Sequence, residues 1–565
     1  MTELLSISNI GTKGLNSDVS PWDLPPEYLT NANNFKVTTN AVYSSGGYAD
    51  WSTSPTSFNA GFILSAGNSS QNYWIVAGRT HVISFDGFTW VDITSAAGYS
   101  GLGVNDELLW TGCVLGGIPI VNNPQAHPEY WSPASPGQIL QPLPWDAGQT
   151  WADVGMSCRV IRAHKTFLFA LNISEVTEQP DTYRWSTSAD INGLPYTWDE
   201  TDTSGLAGVA SLGGDGGGIL DGLTLRDSFI LYSRNAIDVL DFTGDEFIWR
   251  RRELSNTIGI INTNCVVEAN GFHYFISPND ILRTDGTSIE SIINKRIKQK
   301  FLSSIDYTRY RQCFVMSNTN KNEVWFCIPS GGTDYTSIAF VYNWQNDTWG
   351  VRDLPNCAYA AYGILYAGPS GLAGPGGDGQ GGGTVPPTAA RTWANWTGTW
   401  DVQTGSWNSN ISTGTSSEVV DVGGTPTVVV TGSIETAFAD SAICVINSSS
   451  SLKLLEPSTG ITSGNRTTIL ERTDFPLDGL EQVTTITAVY PRVKGTGTIN
   501  IQFGSQAYPG ASVLWKPAIA FTPGVDRKLN LRSTGALHAW RITSEGQYSW
   551  TLSGLDIAYE KAGKR

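Results

Sequence analysis

The chain is 565 residues long, more than one hydrophobic core usually serves, so two or more domains are expected. Its 61 glycines, 21 tryptophans, 21 tyrosines and 20 phenylalanines exclude a disordered chain and indicate a β protein with many turns. The net charge of −16 disfavours sequence-specific DNA binding over a basic face. This charge serves solubility, or it provides an acidic wall along which DNA slides.

Residues 1–60 are predicted to form an N-terminal arm that packs on the core. Pro21, Pro25 and Pro26 disfavour a helix and favour an extended segment. Further along, residues 34–37 and 41–43 are predicted to pair as a hairpin across Thr39 and Asn40.

Residues 73–94 contain three short runs rich in β-branched and aromatic residues. Gly78-Arg79 separates the first two runs, and Asp86-Gly87, a strong hairpin signal, separates the last two. Three such strands form a meander that cannot bury both of its faces alone. Similar meanders must therefore stack on it.

The same pattern recurs, so that six units lie between residues 73 and 354. Most units end with a turn followed by an aromatic residue that starts a last strand: Trp90, Trp198, Trp249 and Trp349. Repeated meanders predict a β-propeller of about six blades over residues 61–366. A two-sheet sandwich is the competing interpretation, although it more often shows shorter and more regular strand spacing.

One segment has helical periodicity. Residues 288–305 place isoleucines and Phe301 on one face, with lysines and an arginine mostly off it. We predict a surface helix with a solvated basic side, or one whose basic side contacts an acidic partner or DNA phosphate.

The composition changes beyond the propeller. Residues 367–390 are rich in Gly and Pro and are predicted to be a linker or an exposed loop. Residues 391–565 are predicted to hold a Trp-rich segment and a smaller β-sandwich-like domain, and residues 439–446 alternatively return to the propeller as a closing strand. The Trp-rich segment packs as strands and turns, or stacks on sugars, through Trp393, Trp396, Trp400 and Trp407.

No motif nominates an active site. Residues 84–90 resemble the Asp-box turn of sialidases, one residue short, but such a turn is structural and no arginine triad or nucleophile accompanies it. The five histidines lack metal-ligand spacing, and the seven cysteines lack a C-x-x-C pair. We therefore predict buried free thiols in a reducing compartment, no catalytic, cofactor or metal site, and no enzyme activity. A glycosidase carboxylate pair would leave no local signature.

Both ends of the chain resemble the tail nozzle (tail tubular protein B-like) proteins of short-tailed bacteriophages. The N-terminal resemblance lies in Gly14, Leu15, Asn16, Leu24, Pro25, Ala32, Asn34 and Gly47. The C-terminal resemblance lies in Gly495, Gly497, Gly504, Gln506, Asp526, Gly535, Trp550, Ser553 and Gly554. The chain departs from the family at Lys36, where an arginine is usual, and at Thr39-Asn40, where an Asp-Gly is usual.

The resemblance implies a structural virion protein of the phage tail, assembled in the host cytoplasm. Such proteins form a homo-oligomeric ring, often a hexamer, below the head-to-tail adaptor, and they contact tail fibre, spike or needle proteins. The ring lines and closes the DNA exit channel and opens for genome ejection, without sequence-specific DNA binding. A receptor-binding or glycan-degrading tail protein is the alternative.

The sequence also suggests which segment narrows such a channel. A Gly-rich stretch moves at low energetic cost, so we assign the gate to Gly376, Asp378, Gln380 and Gly383.

Overall fold

The computed structural model shows an all-β protein. It describes residues 2–67, 72–132, 138–190, 193–202, 205–214, 216–244, 248–364, 417–422, 425–430, 440–457, 466–546 and 549–564. Its strands form two bodies, a propeller and a sandwich.

Seven four-stranded antiparallel sheets form the propeller, and we number them as blades 1 to 7. Blade 1 comprises Ala60–Gly67, Asn72–Gly78, Val82–Phe85 and Trp90–Asp92, and blade 2 comprises Thr111–Leu115, Ile118–Asn122, Glu129–Tyr130 and Gln141–Pro142. Blade 3 comprises Ser157–His164, Phe167–Ser174, Glu178–Trp185 and Gly208–Ser211, and blade 4 comprises Ile219–Leu225, Ser228–Ser233, Ile237–Phe242 and Trp249–Ser255. Blade 5 comprises Val266–Ala269, Phe272–Ser277, Asp280–Thr284 and Ile289–Ser291, and blade 6 comprises Phe314–Asn318, Glu323–Ile328, Thr336–Asn343 and Thr348–Cys357. Blade 7 comprises Tyr359–Ile364, Asp440–Ile446, Ser451–Leu455 and Tyr48–Thr53.

The blades close into a ring. The first strand of each blade contacts the first strand of the next, and Tyr359–Ile364 of blade 7 contacts Ala60–Gly67 of blade 1. Blades 1 to 6 are the six units that the sequence predicted, and the predicted strands of residues 73–94 form the outer three strands of blade 1. The sequence predicted about six blades, and blade 7 is the one that it did not predict.

Blade 7 is assembled from distant parts of the chain. Its first strand follows blade 6 directly, whereas its second and third strands lie after residue 439. Its outer strand, Tyr48–Thr53, comes from the N-terminal arm and pairs with Ser451–Leu455. Residues 440–446 do return to the propeller, as the alternative interpretation of the sequence held. The ring is therefore closed by a blade whose strands come from before blade 1 and from after blade 6 in the sequence.

The smaller body is a β-sandwich of two six-stranded sheets. One sheet contains Glu3–Ser8, Phe35–Val37, Val42–Ser44, Gln482–Gly495, Leu529–Gly535 and Trp550–Lys564. The other contains Asn31–Asn33, Thr467–Phe475, Ile499–Gln506, Leu514–Trp515, Ile519–Phe521 and Leu537–Glu545. The arm hairpin predicted at residues 34–37 and 41–43 is present, and it joins the first sheet through Trp550–Lys564.

Two further hairpins and several short helices complete the described elements. The hairpins are Pro144–Asp146 with Gln149–Thr150, and Ser417–Val422 with Thr425–Val430. The helices are the α-helix Lys298–Ser304 and the 3-10 helices Pro21–Asp23, Asp106–Leu109, Tyr307–Gln312 and Thr319–Lys321.

One hydrophobic core joins the propeller to the sandwich. It runs from Ile276 and Phe340 in blades 5 and 6, through Phe35 of the arm, to Ile557 of the sandwich. Trp349 lies at this junction, where its indole N–H donates to the Ile292 carbonyl over 3.1 Å. Burial on this scale makes the two bodies pack as one unit.

A buried ion cluster reinforces the same junction. The Glu456 carboxylate accepts from Arg352 Nε of blade 6 over 2.7 Å and from Lys36 Nζ of the arm over 2.6 Å. Lys321 Nζ lies 3.3 Å from the same carboxylate, whose side chain is 2% exposed. Burial alone would raise the pKa of Glu456, but these three cations outweigh burial and hold the pKa well below its usual value.

The helix predicted over residues 288–305 is wrong in its first half. Ile289–Ser291 is the outer strand of blade 5, paired with Asp280–Thr284, and the helix spans Lys298–Ser304. Strand pairing after the Asp285-Gly286 turn outweighs the helical periodicity of the isoleucines. The Asp18 carboxylate of the arm accepts from the backbone N–H groups of Lys298 and Gln299, and so caps the helix.

The repeated tryptophan signal holds at three of its four positions. Trp90 and Trp249 begin outer strands, and Trp349 is the second residue of one. Trp198 lies outside the strands and packs against Trp151, with ring centroids 5.0 Å apart. The seven cysteines are free thiols, and all but Cys113 are buried.

Candidate functional site

Groups from six blades and the loop before blade 5 meet at the propeller axis. They belong to Phe62, Gly112, Arg162, Asp221, Asn264, Phe314 and Tyr359. The first strand of each blade begins near one end of the axis, which we call the first end, and runs toward the other, the far end.

An ion pair at the axis joins the neighbouring blades 3 and 4. Arg162 Nε and Nη2 each lie 3.0 Å from an oxygen of the Asp221 carboxylate, a bidentate geometry. Arg162 Nη2 also donates to Asn264 Oδ1 over 2.9 Å, and Nη1 donates to the Gly112 carbonyl over 3.0 Å. Burial alone would lower the pKa of Arg162, and Asp221 reverses that effect, so the pKa is raised. The bonds of Arg162 therefore link blades 2, 3 and 4 and the loop before blade 5.

Aromatic rings fill the opposite side of the axis. The Tyr359 ring lies 5.0 Å from Phe62 and 4.9 Å from Phe314, measured between ring centroids. Burial raises the pKa of Tyr359. A cavity of about 10 Å³ beside these rings has room for about one water molecule. Within the described residues, the axis is therefore filled and is far too narrow for a DNA duplex.

Arg159, Arg234, Arg311 and Tyr310, which we call the arginine cluster, lie at the first end. Arg159 lies near the start of Ser157–His164, Arg234 in the turn before Ile237–Phe242, and Arg311 just before Phe314–Asn318. The Arg234 guanidinium lies 5.9 Å from the centroid of the Tyr310 ring. Arg159 Nε donates to Thr263 Oγ1 over 3.2 Å.

The electrostatics of the arginine cluster are unbalanced. The pKa of Arg159 is lowered, first by burial and then by the charge of Arg311. The pKa of Tyr310 is lowered, first by its interaction with Arg311 and then by that with Arg234. Asp221 is close enough to act on Arg159, but its carboxylate is already bound to Arg162. The cluster therefore carries a surplus of positive charge in an acidic protein.

The gate that the sequence predicted cannot be placed. Gly376, Asp378, Gln380 and Gly383 lie outside the described residues, as do the linker 367–390 and Trp393, Trp396, Trp400 and Trp407. The structure does place the two ends of this stretch. Ile364 and Asp440 are paired at the end of the hairpin between the first two strands of blade 7. Both attachment points of the insertion, Ile364 and Asp440, therefore lie at the far end of the propeller, opposite the arginine cluster.

The turn that resembles an Asp box has a structural role. The Asp86 carboxylate accepts from the backbone N–H groups of Phe88 over 2.8 Å and of Thr89 over 2.7 Å. Both bonds stabilise the turn into the outer strand of blade 1. The Asp86 carboxylate is thus used for hydrogen bonds within the turn itself.

The described part of the chain contains neither a metal-binding group of side chains nor a helix that could span a membrane. No three His, Cys, Asp or Glu side chains within it are grouped closely enough to hold a metal ion. Among its helices, none is long and apolar enough to cross a membrane.

The fold defines a seven-bladed β-propeller protein with an attached β-sandwich. No protein-family model and no curated protein matches the chain. A solved structure described as YCF48 bound to D1 peptide is similar at 12% identity, over 54% of this chain and 86% of that chain, with a TM-score of 0.31.

Proposed function

We propose that this chain is a structural virion protein, the ring-forming nozzle of a short-tailed phage tail. Copies of the chain, most simply six, surround a DNA exit channel below the head-to-tail adaptor and close it until ejection. Tail fibre, spike or needle proteins are the remaining partners, and no catalytic step belongs to this role. The resemblance of both chain ends to nozzle proteins supports the proposal.

The observation that carries the proposal is the filled axis, combined with a long insertion in the sequence between the first two strands of blade 7. Because Arg162, Asp221 and Tyr359 fill the propeller axis, DNA must pass between copies and not through a single propeller. Residues 365–439 are inserted between Ile364 and Asp440, which pair with each other, and the gate residues assigned from the sequence belong to this insertion. The net charge of −16 suits a wall that must not grip DNA.

Replacing residues 365–439 with an Asn-Gly turn is expected to leave the body folded and to make DNA leak from filled heads. Ile364 and Asp440 already face each other across the hairpin, so two residues close it without strain. Deleting residues 376–383 alone tests the predicted gate residues. DNA retained in assembled particles is the measurement.

The matched control shortens a different hairpin tip, Glu175 to Thr177 in blade 3, where Val176 is 94% exposed. This control is expected to retain DNA. Normal retention by the 365–439 replacement, in particles that contain the variant, would contradict the gate. It would leave the ring itself to be tested separately.

A further inference from the structure

The arginine cluster gathers three guanidinium groups from separate blades. The Arg234 guanidinium lies over the Tyr310 ring, and Arg311, the next residue in the chain, lines one small cavity together with Thr263. Arg159 completes the cluster beside Thr263 at the rim of the filled axis. Arg234 and Arg311 are exposed, whereas Arg159 and Tyr310 are half-buried. A ligand can therefore reach Arg234 and Arg311 from solvent and also contact the half-buried guanidinium of Arg159.

The charge of this cluster is not compensated by the surrounding protein. Among the described residues, no carboxylate lies within 4.0 Å of Arg159, Arg234 or Arg311. By contrast, Arg162 at the axis and Arg251 of blade 4 are each paired with an aspartate. Like charges held together repel, and an anion between them would remove that repulsion.

A neighbouring polar group also lacks a partner. The side-chain Oε1 of Gln312 is shut off from solvent and has no hydrogen-bond partner within the described residues. Gln312 lines the same small cavity as Arg311 and Thr263. Buried polar atoms are nearly always hydrogen-bonded, and a half-turn of the amide would present its N–H group instead. The cavity itself is too small for a ligand, which must sit outside it among the exposed guanidiniums.

The charge and geometry point to one class of ligand. Guanidinium forks match both carboxylates and phosphates, but a phosphate group carries about −1.5 to −2 charges and three acceptor oxygens. Three cations therefore match a phosphate better than a singly charged carboxylate. The net charge of −16 disfavours a long DNA backbone as the source. We propose that Arg159, Arg234 and Arg311 bind the phosphate group of a small molecule at the first end of the propeller axis.

Calorimetric titration of the full-length chain in phosphate-free buffer tests this site. The probes are inorganic phosphate, a nucleoside monophosphate, acetate and a duplex oligonucleotide. We expect one or both of the first two to bind, and the tighter one identifies the source of the group. Arg311→Gln and Arg234→Gln are each expected to weaken binding by about 10-fold or more, because each removes a charge-assisted hydrogen bond.

Arg250→Gln is the matched control, since Arg250 is an exposed arginine on the outer strand of blade 4. It is expected to bind phosphate as the unaltered chain does. The proposal would be overturned by an absence of binding, by equal losses in Arg250→Gln and Arg311→Gln, by acetate binding as tightly as phosphate, or by binding of the duplex alone.

A second measurement separates binding from folding. Without phosphate, Arg311→Gln is expected to unfold at the same urea concentration as the unaltered chain or at a higher one, because a repulsive charge has gone. With phosphate, the unaltered chain is expected to gain stability and the variant to gain much less. An equal gain in both proteins would place phosphate elsewhere. Neither measurement depends on the nozzle proposal.

Discussion

Replacing Glu456 with glutamine is expected to lower the free energy of unfolding by about 3–5 kcal/mol. The carboxylate is buried against Arg352, Lys36 and Lys321, which come from blade 6 and the arm. Glutamine fills the same space but removes the negative charge that these three cations share. The buried Glu323, 3.7 Å from Arg352, offsets only part of that loss. Urea unfolding followed by tryptophan fluorescence measures the loss.

Glu178→Gln is the control for this experiment, because Glu178 is an exposed residue of blade 3. It is expected to change stability by no more than about 0.5 kcal/mol.

The stability of Glu456→Gln and that of the unaltered chain should also respond differently to acid. Since the folded state lowers the pKa of Glu456 from 4.5, its contribution is complete above that pH and is lost as the pH falls. The stability gap between Glu456→Gln and the unaltered chain should therefore narrow in acid, and a constant gap would contradict the charge argument.

Replacing Asp221 with alanine is expected to destabilise the propeller by about 3–5 kcal/mol. Arg162, whose side chain is 11% exposed, would be left as an unpaired charge at the axis. The backbone N–H groups of Gly222 and Asn264 would also lose their acceptor. The same urea measurement reports the change.

Two comparisons identify the cause of the Asp221 effect. Asp227→Ala breaks an ion pair with Lys165 in which Asp227 is 95% exposed, so it should cost no more than about 1 kcal/mol. The double variant Arg162→Met, Asp221→Leu removes both charges together, and it should be less destabilised than Asp221→Ala alone. Equal losses in the single and double variants would mean that the buried charge is not the cause.

Much of the propeller could be predicted because its blades are local. In blades 1 to 6, four strands follow one another along the chain, so alternating apolar runs and turns such as Asp86-Gly87 indicate each meander directly. The arm hairpin at Phe35–Val37 and Val42–Ser44 was predictable for the same reason. The predicted helix began too early because Ile289, in the strand Ile289–Ser291, fits the apolar pattern of both a strand and a helix.

Blade 7 lies beyond local reasoning. Its outer pair joins Tyr48–Thr53 to Ser451–Leu455, which lie on opposite sides of blades 1 to 6 in the sequence. Nothing in the sequence of either strand indicates which strand it pairs with. The arginine cluster was missed for the same reason. Arg159, Arg234 and Arg311 are far apart in sequence and meet because each lies at the first end of its own blade. With the blade boundaries known, arginines at those positions would have been a usable signal.

Cryo-electron microscopy of the purified full-length chain, with the oligomer reconstructed, tests the central claim most directly. We expect a closed ring of copies, with an axial opening wide enough for duplex DNA between them and each propeller axis still filled by Arg162, Asp221 and Tyr359. An elongated trimer, or a chain that stays monomeric at high concentration, would contradict the proposed nozzle.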